Sequence, residues 1–71
     1  MEKILKLKQK RANLISEARS MLDTIETEKR SFTAEEEERY GRMDADIDKF
    51  ELDIQRMEKQ LERERNLGEN N

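Results

Sequence analysis

The chain has no cysteine, no histidine, no proline and no tryptophan, only two glycines, and no long apolar run. Each absence closes an option. Without cysteine there is no disulfide and no redox signal, and without histidine and cysteine most nucleophile–base pairings are unavailable. No stretch approaches the ~18 apolar residues of a membrane span, and the opening M-E-K-I-L-K-L-K-Q-K-R lacks the continuous apolar core of a secretion signal. An intracellular protein is expected. At 71 residues, 32% of them hydrophobic, the chain is one small domain at most. A single core of this size seldom supplies more than ~3 to 5 kcal/mol, so further stabilisation is expected from self-association or from a larger parent chain.

What is present is charge and period. Charged residues make up 46% of the chain, and they are sorted. Lys3, Lys6, Lys8, Lys10 and Arg11 stand against Glu2 alone near the start, whereas residues 23–51 hold eleven acids and five bases. Apolar residues recur at alternating steps of three and four. Ile4, Leu7, Leu14, Ala18, Met21 and Ile25 form one series, broken only by Arg11; Tyr40, Met43, Ile47, Phe50, Ile54, Met57 and Leu61 form the second. Two heptad helices are implied.

The stretch between them carries helix-start chemistry. Thr33-Ala34-Glu35-Glu36 has the form of a capping box, in which the Thr33 hydroxyl caps the helix and Glu36 reaches back to the Thr33 N–H. Glu35 to Glu38 place negative charge at the positive end of the helix dipole, and Phe32 can pack on the first turn as a staple. Helix 1 is expected over residues 3–29, a link over 30–33, helix 2 over 34–66 and a tail over 67–71, with Gly68 as the terminator. So short a link makes neighbouring helices antiparallel. The expected fold is all-α, a two-helix antiparallel coiled-coil hairpin that packs further into an oligomer. Folding about the link centre sets Leu14 near Phe50 and Ile25 near Tyr40, while regular packing of a against d asks for a slide of a few residues either way. Register stays open at this stage.

The two apolar faces are unequal. With Ile4 and Tyr40 as position a, helix 1 adds Ile15 and Leu22 at e and Leu5 and Ala12 at b, whereas helix 2 has Asp44, Glu51 and Glu58 at e. The surplus shoulder of helix 1 is either an oligomer contact or is covered by Lys and Arg stems. Ala45 and Leu52 lie at the outer f position of helix 2, as a second contact or as ordinary exposed residues. Gly41, at an outward b position, costs about 1 kcal/mol relative to alanine and either is merely tolerated or softens the first turns of helix 2.

Candidate sites for chemistry are few. Glu35 to Glu38 with Asp44, Asp46 and Asp48 project around a helix instead of converging on a glycine turn, as a calcium loop would require. Paired carboxylates need a concave, dry setting that a hairpin does not offer. No catalytic residue, metal ligand or cofactor site is expected. Lys3, Lys6, Lys8, Lys10 and Arg11 oppose the dipole at a helix start and so invite an anion. No aromatic residue is interleaved for base stacking, which disfavours nucleic acid; the acidic corner of another hairpin is the preferred partner, with a purely solvated segment as the alternative. Arg11 in the seam is expected to set register or partner choice.

L-K-L-K-Q-K-R-A-N-L-I-S-E-A-R-S-M-L-D followed by T-A-E-E-E-E-R-Y-G-R-M-D-A-D-I-D resembles the N-terminal delta region of tailed-bacteriophage major capsid proteins of the Hong Kong 97 type, over about residues 5 to 61. The resemblance implies a built-in scaffold that lies on the inner side of the immature shell, in the host cytoplasm. There it contacts neighbouring capsid subunits, and in many members a maturation protease then removes it. Carried over, Thr33, Glu35, Glu36, Arg39 and Tyr40 form the hairpin corner. Gly41 departs from the polar residues usual at that place. The chain is then expected to be a segment of a parent capsid protein or a separate scaffold. The alternative, from the residues alone, is a free-standing adaptor whose basic tip engages nucleic acid, membrane or an acidic protein.

Overall fold

Residues 2–28 and 34–69 contain long runs of straight-chain charged residues with good helix propensity and little β-branching, so the backbone closes its hydrogen bonds locally. The computed structural model describes residues 2–69 and consists of helix α1 (Glu2–Glu28) and helix α2 (Ala34–Glu69), with no strand among the described residues. They form an antiparallel hairpin 61 Å long and 17 by 15 Å across.

The end of α1 is a Schellman cap. Lys29 adopts a left-handed φ of 53°. Its N–H donates to the Glu26 carbonyl at 3.3 Å, and the Arg30 N–H donates to the Ile25 carbonyl at 3.2 Å, which satisfies two carbonyls that the helix leaves open. Glycine usually fills this place because a Cβ crowds the following carbonyl. Here a lysine accepts the strain, and the chain turns sharply enough for α2 to begin within a few residues.

Two ion pairs across the helices fix the register. Lys8 Nζ lies 3.0 Å from Glu58 Oε2, joining e positions, and Arg39 Nη2 donates to Glu17 Oε1, joining g positions. The layers between them then pair a with d throughout: Ile4 with Met57, Leu7 with Ile54, Arg11 with Phe50, Leu14 with Ile47, Ala18 with Met43, and Met21 with Tyr40. Ile4 and Met57 do border one common depression. The layers are three residues displaced from a fold about the link centre. Leu14 is therefore level with Ile47, not Phe50, and Ile25 is level with Glu36, not Tyr40.

Ile4, Met43 and Ile54 are buried, Ile54 to 2% exposure, and Leu7, Leu14, Ala18, Met21, Ile25, Tyr40, Ile47, Phe50 and Met57 are half-buried. Each fully buried aliphatic side chain contributes about 1.5 to 3 kcal/mol, so three of them make a thin core. Leu61 departs from the expected seam. It is 40% exposed, because in this register it stands a full turn past Met57, beyond the first described residue of α1. Gly68 does not end α2 either. It has no positive φ and the helix runs on to Glu69, while Asn70 and Asn71 of the expected tail lie outside the described residues.

Two substitutions test these backbone assignments. Lys29→Gly relieves the left-handed strain and is expected to stabilise the hairpin by roughly 0.5 to 1 kcal/mol. Gly41→Ala adds a Cβ into open space within a helix and is expected to gain about 1 kcal/mol. Thermal melts followed by circular dichroism should show both variants melting several degrees above the parent; a lower melting temperature for Lys29→Gly would contradict the cap geometry.

Candidate interaction surface

The corner is held by one arginine. Arg30 grips Glu36 with both arms of its guanidinium, Nη1 donating to Oε1 at 2.7 Å and Nη2 to Oε2 at 3.0 Å. Its Nε donates to Glu28 Oε1 at 2.6 Å and Nη1 also to the Ser31 carbonyl at 3.0 Å. Glu36 closes the capping box as well: its N–H donates to Thr33 Oγ1 at 3.2 Å, and its Oε1 accepts from the Thr33 N–H at 2.9 Å. The bonds from Arg30, and next the Thr33 N–H, lower the Glu36 carboxyl from an ordinary 4.5 to about 2, and Glu36 and then Glu28 push Arg30 above its usual value. Phe32 packs against Tyr40 in the second turn, with ring centroids 5.3 Å apart and the ring planes tilted by 39°. Glu35, Glu37 and Glu38 are exposed, and no cluster of three acidic side chains suited to a metal ion occurs among the described residues.

The basic segment meets acids of its own chain. Lys8 pairs with Glu58 and Lys6 lies 3.9 Å from Glu2. Lys3 and Asp53 border one groove, and Lys10 and Asp46 border another. Arg11 is half-buried in the seam. Within the chain, α2 supplies a carboxylate to Lys8 and places Asp53 and Asp46 on the grooves beside Lys3 and Lys10. Each pair is solvent-exposed and individually contributes little. Together they select the register: Lys3 with Asp53, Lys10 with Asp46, Glu17 with Arg39 and Lys8 with Glu58 are all of opposite sign, and a slide of one heptad brings Glu17 level with Asp46.

The shoulder of α1 is open. Leu5 is 64% exposed, and Ala12, Ile15 and Leu22 are exposed too. The α2 residues level with Ile15 and Leu22 are the acids Glu51 and Asp44, which give them no apolar partner. At the open end this stripe runs into a cleft of about 550 Å³ bordered by Ile4, Leu5 and Leu61, with the Lys8–Glu58 pair at its edge. Leu52 and Ala45 are also exposed, on the outer face of α2, without an apolar neighbour at e or b. Leu67 is exposed on the free end of α2. No helix is long and apolar enough to cross a membrane among the described residues.

Sequence reasoning missed Arg30 as the centre of the corner, the left-handed Lys29 and the Lys8–Glu58 and Glu17–Arg39 pairs across the helices. The first was findable as a cation six residues from the capping glutamate. The last was findable by testing opposed charges in every register. Comparison with protein-family models, with curated proteins and with solved structures gave no match.

The lowered Glu36 carboxyl implies a pH dependence. A group whose folded pKa lies below its ordinary value stabilises fully above that ordinary value, and the benefit disappears as pH falls through the folded one. Glu36→Gln keeps an acceptor for the Thr33 N–H but loses the charge. At neutral pH the variant should melt below the parent, and the gap should narrow from pH 4.5 downwards and close near pH 2. A gap independent of pH would show that the ion pair does not hold the corner.

Proposed function

We propose that this chain is a non-catalytic assembly module that associates with copies of itself, or with the protein that carries it, through the apolar shoulder of α1. The observation that carries this reading is the exposed row Leu5, Ala12, Ile15 and Leu22, interspersed with Lys8 and Arg19, along a hairpin whose own seam buries, among the described residues, only Ile4, Met43 and Ile54. Row and seam lie on adjacent faces of α1, so covering the row leaves the hairpin intact. The likeness of the T-A-E-E-E-E-R-Y corner to capsid delta regions supports a narrower form of the proposal. In that form the module guides neighbouring subunits inside an immature phage shell in the host cytoplasm, where many weak contacts act together by effective concentration. The adaptor alternative draws on the basic tip, but α2 already presents Asp46, Asp53 and Glu58 to it.

Ile15→Glu with Leu22→Glu should leave helix content unchanged while weakening self-association roughly a hundredfold or more, read by sedimentation across a concentration range. A parent chain that stays monomeric throughout, yet loses DNA or liposome retention when Lys6 and Lys10 become glutamate, would replace the assembly reading with the adaptor.

A further inference from the structure

Heptad order along the shoulder of α1 is Leu5, Lys8, Ala12, Ile15, Arg19, Leu22, alternating b and e. It reads apolar, basic, apolar, apolar, basic, apolar, the same in both directions about a point between Ala12 and Ile15. A row with this symmetry fits a second copy running antiparallel, which sets Leu5 against Leu22, Ala12 against Ile15 and Lys8 against Arg19. The two cations that meet already hold carboxylates, Lys8 on Glu58 at 3.0 Å and Arg19 on Asp23 at 3.0 Å. A parallel copy would also match like with like, so the row alone leaves the direction undecided.

Net charge decides it. Dividing the hairpin at the centre of the row, the corner half (residues 14–47) carries ten acids and five bases, and the open half (the remaining residues) carries ten bases and eight acids. An antiparallel neighbour lays the positive half of each copy over the negative half of the other; a parallel one stacks the two acidic halves. From the row and the two poles together we infer that the hairpin forms a two-fold dimer in which α1 packs antiparallel on α1 of a second copy. This rests on the assembly reading above and names its partner and geometry. Leu22 of the second copy enters the cleft bordered by Ile4, Leu5 and Leu61. Asp44, Glu51 and Glu58 border the row on the α2 side and disfavour burial of α2, so the contact stays narrow and reversible.

The chain has no cysteine, so single cysteines report directly. Leu5→Cys and Leu22→Cys are exposed positions, and folding of each variant is checked by circular dichroism. In the antiparallel dimer the two Leu5 positions are roughly 25 Å apart along the axis, as are the two Leu22 positions, and neither variant alone should form a disulfide on mild oxidation. An equimolar mixture should give the mixed disulfide, and its yield should fall severalfold at high salt. Cross-linking of Leu5→Cys with itself as fast as in the mixture would overturn the direction while leaving self-association standing. A chain that sediments as a dimer without any mixed disulfide would likewise overturn the geometry. A chain that sediments as a monomer at every concentration would overturn this inference together with the self-association form of the assembly reading, leaving of that reading only contact with the protein that carries the hairpin.

Discussion

Everything in this molecule follows from the register in which the two stripes meet. A narrow seam with few large side chains cannot by itself choose between positions one heptad apart, since a neighbouring register would still set apolar beside apolar. The choice falls to the flanks. At g the pairs Lys3 with Asp53, Lys10 with Asp46 and Glu17 with Arg39 are complementary, and at e Lys8 meets Glu58. Exposed pairs are individually weak, but a shifted register exchanges attraction for repulsion, and that difference sets the alignment.

Register then determines what is left over. Because Ile15 and Leu22 are level with Glu51 and Asp44, α2 gives them no apolar partner. Because Leu61 stands past Met57, an apolar side chain remains at the open end beside Leu5. The corner serves the same end from the other side. Arg30, Glu36 and Thr33 lock the turn with short bonds, so the helices leave it already aligned and little of the thin core is spent on closing the loop.

Much of this was legible in the residues. The two heptad series, the Thr33–Glu36 cap and the surplus row on helix 1 depend on local spacing, and spacing is what a sequence displays. A slide of a few residues was legible from a-to-d packing, but its direction was not, because the apolar series fit either way and the charges that decide it lie on the flanks. Leu61 was misplaced by that same slide. Gly68 was taken as a stop because glycine usually takes a left-handed φ beyond a helix, yet here the left-handed residue is Lys29, whose side chain gives no such sign. The Lys8–Glu58 pair was not read because dipole reasoning considers one helix at a time, whereas that carboxylate sits on the other.

The account comes down to one surface, and methyl-detected NMR over a concentration series tests it most directly, with residues of similar exposure serving as internal control. The methyls of Leu5, Ile15, Leu22 and Leu61 should shift or broaden as the chain is concentrated, while that of Leu52, equally exposed but on the outer face of α2, stays fixed. Movement at Leu52 with Ile15 and Leu22 unchanged would contradict it.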